Sequence, residues 1–371
     1  MKMNRREILK ATGGGILMIS GISLITGCGS RVLRGKGSEP GKITGLTKEE
    51  YDILYMASLA PSGHNAQPWT VKVIGAGHWI IGSEPTRWLP QVDPENRELL
   101  LSVGAFLENL DIAAGVHGFR TEIRVIAKKG SDPDIADLRL VKDRVREFPM
   151  EKVKMRRTIR KGYTDRPLKK ADLDFIIGND KKGARIINAG SREDRLLREG
   201  TIEANRVQAW RDPAQEELSR WIRFSREDAE KYRNGITPAS MEIEGAAGWF
   251  VSHFFDSKSV LSKSFREKGI EGVVEQVRTM GGWIILSSRD SSVPEILETG
   301  RRFQRIWLRV RERKIAIHPM TQMLEEKPWM NSIRGDLGVN GQVQFILRAG
   351  YVKSYPAPVS LRMPVAWFMK S

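Results

Sequence analysis

Two stretches of this chain, set 196 positions apart from Gly104 to Gly300, share one pattern of apolar residues. The first runs Gly104-Ala105-Phe106-Leu107-Glu108-Asn109-Leu110 through Ala113-Ala114 to Gly118-Phe119, and the second runs Gly300-Arg301-Arg302-Phe303 through Ile306, Leu308 and Val310 to Lys314-Ile315. Leu107, Leu110 and Ala114 in one, and Phe303, Ile306 and Val310 in the other, fall at i, i+3 and i+7, which places each trio on one helical face. The spacing predicts two core helices of similar build. A β-rich stretch follows the first helix (123–127) and another precedes the second (283–288), so each helix is expected to pack on a sheet. Any two amphipathic helices would share part of this pattern, so by itself it only hints at duplication.

With 371 residues, 40% of them hydrophobic, the chain has material for about two domains with a core in each. Its formal net charge of +16 would suit nucleic acid, anionic lipid or an acidic small molecule. The basic residues are spread along the sequence without an RNA-binding aromatic motif, a Cys/His finger or a basic zipper, and nucleic acid is not an expected partner. His78, His117 and His253 show no metal-ligand spacing, and no metal is expected.

The amino terminus reads as an export signal. Asn4-Arg5-Arg6-Glu7-Ile8-Leu9-Lys10 supplies paired arginines, and the uncharged, Gly-rich run from Gly13 to Ile25 is too short for a bilayer-spanning helix but suits the apolar region of a signal peptide. A twin-arginine signal is expected over 1–28. Cys28, the lone cysteine, follows Leu24-Ile25-Thr26-Gly27 as in a bacterial lipobox, and its lipidation would anchor the protein to a membrane on the periplasmic or cell-surface side. A free thiol left at the end of an ordinary signal peptide is the alternative. Residues 29–45, rich in Gly, Ser, Arg and Lys, read as a flexible tether.

Further along, 71–81 reads as a hairpin around Gly75-Ala76-Gly77. Residues 195–233 are charge-dense with an apolar stripe of Trp210, Leu218, Trp221 and Phe224, as in long exposed helices. Gly235, Pro238 and Gly245 then mark 233–248 as a loop or lid.

Two motifs carry the chemistry. Ala60-Pro61-Ser62-Gly63-His64-Asn65-Ala66-Gln67-Pro68-Trp69 is a turn between prolines whose free N–H groups could hold a flat polar ring edge-on; a structural loop is an equal reading. Arg156-Arg157-Thr158-Ile159-Arg160 sets guanidinium groups around a hydroxyl, as a phosphate monoester requires; a solvated basic run is the commoner fate of such a cluster. In an extended segment Arg156, Thr158 and Arg160 would face one way and Arg157 the other.

Taken together, the two motifs resemble the nitroreductase family, and within it the exported, double-length members. The family's Pro-Ser-x-x-Asn-x-Gln-Pro-Trp pattern is matched at Pro61–Trp69, and its Arg-x-Ser/Thr-x-Arg pattern at Arg156–Arg160. Ile317-His318-Pro319-Met320-Thr321-Gln322 resembles the segment whose backbone approaches the flavin N5 region, with Thr321 or Gln322 where the family has an acidic residue. Gly350-Tyr351 and the run from Pro356 to Pro364 resemble the closing segment, whose arginine, here Arg362, reaches the FMN phosphate. The resemblance covers most of 46–364 and is loosest over 195–280.

It implies an α+β, nitroreductase-like fold in which an N-terminal half (46–150) and a C-terminal half (151–371) form a pseudo-dimer within a monomer. It implies one FMN, held by Pro61, Ser62, Gly63, His64 and Asn65 at the ring, by Arg156, Arg157, Thr158, Arg160 and Arg362 at the phosphate, and by His318, Pro319 and Met320 near N5. It also implies an oxidoreductase that passes electrons from NAD(P)H, a quinol or a redox partner to a nitroaromatic, quinone or similar electrophile. The flavin would carry the chemistry, with His64 and His318 as candidate substrate-side donors. An FMN-storage protein without catalysis, and a lipoprotein without any cofactor, are the alternatives.

Overall fold

The computed structural model describes residues 45–370. The paired arginines, Cys28 and nearly all of the expected tether lie outside the described residues.

In chain order the elements are α1 (Lys48–Ala57), β1 (Trp69–Gly75), β2 (His78–Ser83), α2 (Arg97–Val116), β3 (Phe119–Val125), β4 (Asp134–Lys142), α3 (Glu151–Lys154), α4 (Lys170–Ile177) and β5 (Ala184–Asn188). There follow α5 (Arg192–Trp210), α6 (Asp212–Trp221), α7 (Arg226–Tyr232), α8 (Gly245–Phe254), α9 (Lys263–Arg278), β6 (Gly282–Ser288), α10 (Val293–Val310), β7 (Ile315–Pro319), α11 (Trp329–Asp336), β8 (Gln342–Tyr351) and β9 (Met369–Lys370). The fold is α+β. One sheet has the order β3-β4-β2-β1-β9, the other β5-β6-β8-β7. All pairings are antiparallel except that of β9, which lies parallel to β1 through Val71 and Met369.

The expected hairpin forms as β1 and β2, with Gly77 at φ 62° in its turn, a conformation that costs glycine nothing. The charge-dense region folds as α5, α6 and α7, each N-terminal end set by the local sequence: Ser191 caps α5, Pro213 opens α6 and Ser225 caps α7. Part of the segment read as a loop or lid is helical instead, since α8 begins at Gly245.

The two helices flagged by the 196-residue offset cross in the centre. A Cβ added to Gly104 of α2 would stand 2.2 Å from the Leu297 carbonyl and 3.0 Å from Gly300 Cα, and one added to Gly300 of α10 would stand 2.2 Å from the Leu101 carbonyl. Only glycine permits this backbone-on-backbone approach. Around the crossing, Gln304 donates to Asn109 Oδ1 at 2.8 Å, and Arg301 and Arg305 both reach the buried Glu108 at 2.9 Å. A buried carboxylate answered by two guanidiniums avoids the cost of an isolated charge. Helix α2 is apolar on nearly every side, with 15 of its 20 residues buried, because the crossing leaves it no solvent face. The core cluster it belongs to draws on both sheets and on α10, and includes Trp69, Ile284, Leu286, Phe303 and Phe345. Residues 364–368 then carry the chain back to the first sheet, where Phe368, fully buried, packs edge-on against Phe106.

Candidate functional site

The turn between α1 and β1 is built around unusual backbone. His64, Asn65 and Gln67 have φ of 47°, 53° and 53° without being glycine, a conformation that costs of order 1–3 kcal/mol each and persists where surrounding contacts over-determine it. Those contacts are present. Gln67 N–H donates to Ser62 Oγ at 2.9 Å, Asn65 Nδ2 to the carbonyls of Gly235 and Leu361 at 3.0 and 3.1 Å, and Gln67 Nε2 to the Arg233 carbonyl at 3.0 Å. Arg362 donates to Asn65 Oδ1 at 2.7 Å and to the carbonyls of Leu59 and Ala60 at 3.1 Å, while Arg87 donates to the Gln67 carbonyl at 2.7 Å.

This turn forms one wall of a cleft of about 250 Å³, near the lower edge of the range for small-molecule sites, roughly 300–1,000 Å³. Pro61, Ser62, Gly63 and His64 face it from the turn, and Glu98, Leu101 and Ser102 from α2. Thr158, Arg160, Phe303, Trp307, His318, Pro319, Thr321, Gln322 and Glu325 face it from the later part of the chain. The motifs at 61–64 and at 158–160, nearly a hundred residues apart in sequence, therefore meet on one cavity. Phe303, which stacks on Phe345 at 4.0 Å and lies 4.8 Å from Trp307, contributes to an aromatic wall.

Other expected site residues are directed elsewhere. Asn65 spends its amide on Gly235 and Leu361, and Arg362 lies across the loop carbonyls, so both brace the turn from behind. Arg156 donates to the Leu59 carbonyl at 3.1 Å, lies 4.6 Å over the Trp307 ring, and borders a separate hollow of about 120 Å³ with Lys152, Arg311 and Tyr355. Arg157 turns the opposite way, to the Ala357 carbonyl at 2.6 Å and to Glu242 at 3.5 Å. Met320 is buried in the hydrophobic cluster of the second sheet, where a thioether gains more than beside a polar cleft. Of the phosphate set, Thr158 and Arg160 face the cleft; Arg160 is steadied by the Ser240 carbonyl at 2.7 Å, and its N–H donates to Glu242.

Several buried polar atoms of the cleft residues have no protein partner: Nδ1 of His64, Nδ1 of His318, Nε1 of Trp307 and Oε1 of Gln322. Burial draws the His64 imidazole down to about 4 and holds His318 far below its ordinary range, with Arg160 and Arg348 adding to the effect on His318. Both rings are neutral at pH 7, so each offers one donor and one acceptor rather than charge. Unsatisfied donors and acceptors around an aromatic-walled cavity suit a flat heterocycle with polar edges, such as a flavin, better than an apolar ligand.

Sequence reasoning missed the acids. Glu98 and Glu325 share Thr321 at 3.2 and 2.8 Å, and Asp93 lies buried behind Glu98, its carboxyl pushed up to about 6 by burial and by Glu98. In the sequence, Glu98 reads as an ordinary acid in the first turn of a helix.

No protein-family model matches the chain. A Mycobacterium tuberculosis (strain ATCC 25618 / H37Rv) protein named "Putative NAD(P)H nitroreductase Rv3131" is 27% identical over 147 residues, 39% of this chain and 42% of that protein, so the match spans about two fifths of that relative's length. "Probable NAD(P)H nitroreductase PigM" of Serratia sp. (strain ATCC 39006) is 22% identical over 339 residues, 85% of this chain and 91% of that protein. Among solved structures, a nitroreductase-like family protein from Bacillus cereus aligns at 13% identity and TM-score 0.34, over 60% of this chain and 94% of its own. The FMN-dependent nitroreductase NfnB from Mycobacterium smegmatis, in complex with NADPH, aligns at 15% and 0.33, over 58% and 91%. By sequence the chain is thus similar to proteins named as NAD(P)H nitroreductases.

Proposed function

We propose that the cleft holds one FMN and that the protein passes electrons to a nitroaromatic, quinone or similar electrophile. The observation that carries this reading is the convergence of the Pro61–His64 turn with Thr158, Arg160, His318 and Pro319 on a cavity lined by buried polar atoms without partners. When bound, FMN would supply two-electron chemistry that none of these side chains can perform. The chain's own part is binding and orientation. Pro61, Ser62, Gly63 and His64 of the turn would hold the ring through backbone groups, while Thr158 and Arg160 would offer a hydroxyl and a permanent charge to the phosphate. Phe303, Trp307 and Phe345 line the cleft and would exclude water from part of it. His64 and His318, being neutral, can hydrogen-bond a substrate oxygen without adding charge.

The same reading takes the halves at 46–150 and 151–371 as a pseudo-dimer, with NAD(P)H, a quinol or a redox partner as donor. It also takes the protein as exported and tethered by lipid at Cys28, which metabolic labelling with a radioactive fatty acid would test through Cys28→Ala.

The absorbance spectrum of the purified protein, as isolated and after adding FMN, tests the cofactor: flavin bands are expected, and their absence in both samples would refute the reading. Anaerobic stopped-flow mixing of holoprotein with NADH and NADPH tests catalysis. Storage is the second reading, favoured by the bonds from 233–235 that tie the turn down; a flavin that no donor reduces would select it. Arg160→Ala should weaken FMN retention by about 1.5–3 kcal/mol, the contribution of a hydrogen bond to a charged group, as measured by fluorescence titration.

A further inference from the structure

Where α2 begins, two carboxyl groups meet on one hydroxyl. Thr321 Oγ1 stands 3.2 Å from Glu98 Oε1 and 2.8 Å from Glu325 Oε1, and a hydroxyl has a single proton to donate. Arg97 Nη2 reaches Glu98 Oε1 at 3.0 Å, and Gln208 Nε2 donates to Glu325 Oε2 at 2.6 Å. Two carboxyls beside one cation reach neutrality by holding one proton. Glu98 Oε2 points the other way, toward the turn: a Cβ built on Gly63 would stand 3.3 Å from it. His318, only 8% exposed and with Nδ1 unpartnered, lines the same cleft and marks the space between as one that receives a polar ligand.

Charged and titratable groups surround this pair on several elements. Asp93 and Arg97 come from its own segment, Glu325 from the turn after β7, His64 from the opposite wall, and His318 and Arg160 from the far side. Burial and Glu325 hold the Glu98 carboxyl above the usual carboxylate range, against the pull of Arg97 and the Thr321 hydroxyl. Its place in the first turn of α2 also favours the anion, in the same direction as Arg97.

We propose that Glu98 is the proton donor of this cleft, serving a quinone-type acceptor seated between the Pro61–His64 turn and His318. The proposal rests on the reductase reading above. Hydride from a two-electron reductant, a dihydroflavin, adds to the quinone and leaves one oxyanion. The O–H bond of Glu98 breaks as a new O–H bond forms on that oxygen, giving the hydroquinone. The quinone gains two electrons, the reductant loses them, and the Glu98 carboxylate regains its proton from water by way of Thr321 and Glu325.

The experiment compares wild type, Glu98→Gln and Glu325→Gln as FMN-loaded full chains. Infrared spectroscopy across pH should show a protonated-carboxyl band at pH 7 in wild type that vanishes in E98Q. In E325Q, where the like charge is gone, that band should titrate at lower pH. With menadione as acceptor, E98Q should keep its flavin but lose about 10²–10⁴-fold in reduction rate, the usual contribution of general acid catalysis, together with the alkaline limb of its pH profile.

Absence of the band in wild type, or E98Q with an unaltered pH profile, would overturn the proposal. If E98Q fails to fold, the shift in E325Q decides: no shift overturns it. A wild type that takes up no flavin sinks the reductase reading and the quinone step with it, while the infrared band still decides whether the pair holds a proton.

Discussion

His64 and Asp93 respond to acid in opposite directions. His64 is drawn from 6.5 to about 4 by burial, so between those values the unfolded chain binds a proton that the native one does not, and stability falls as pH drops through that window. Asp93 is raised from 3.8 to about 6, so over its window the native chain binds the extra proton and stability rises as pH drops. Each slope is about 1.4 kcal/mol per pH unit, and from pH 6 to 4 they offset one another. Asp93→Asn should remove one side of this balance and make the unfolding free energy fall more steeply with acid, by about 1.4 kcal/mol per unit relative to wild type. Urea titrations at several pH values would measure it; parallel curves would contradict it. The turn at Pro61–His64 was legible in sequence because Pro, Ser, Gly and Asn announce special backbone. The carbonyl contacts of Asn65, Arg156 and Arg362 were not legible, because sequence shows a donor but not which carbonyl lies within its reach. The Glu98 pair escaped notice because its partner lies 227 residues away, at Glu325.

At the scale of elements, the crossing of α2 and α10 decides the arrangement. Gly300→Ala would normally favour a helix by up to about 1 kcal/mol. Here its Cβ meets the Leu101 carbonyl at 2.2 Å, and backbone cannot move aside as a flexible side chain would. A net loss of about 1–3 kcal/mol, typical of overpacking, is expected from guanidinium unfolding; a stabilised variant would refute the close crossing. The repeat between the two helices could be read from apolar spacing, and their mutual contact could not, since periodicity names the buried face without naming what covers it. The start of α2 was missed for a related reason. Leu99-Leu100-Leu101 is buried on all sides, and a helix without a polar face has no period to detect.

At the scale of the whole molecule, a boundary at residue 150 follows the two sheets except at one point: Met369–Lys370 pairs with β1 of the first sheet. The tail brings with it Phe368, fully buried against Phe106. Phe368→Ala should cost about 3–5 kcal/mol, as for other buried aromatic truncations, and calorimetry should show the loss in a single transition that involves both sheets. A second transition confined to the first sheet would count against their common core. Nothing in the sequence marked this return, because two residues of strand carry no alternation to read.

The return of β9 also orders events in time. Val71 finds its partner Met369 only after 297 intervening residues have been made, and contacts of such long sequence separation slow folding. During synthesis the early sheet therefore waits with one border unpaired, a sticky rim for neighbouring nascent chains, until Met369 and Lys370 arrive to pair with it.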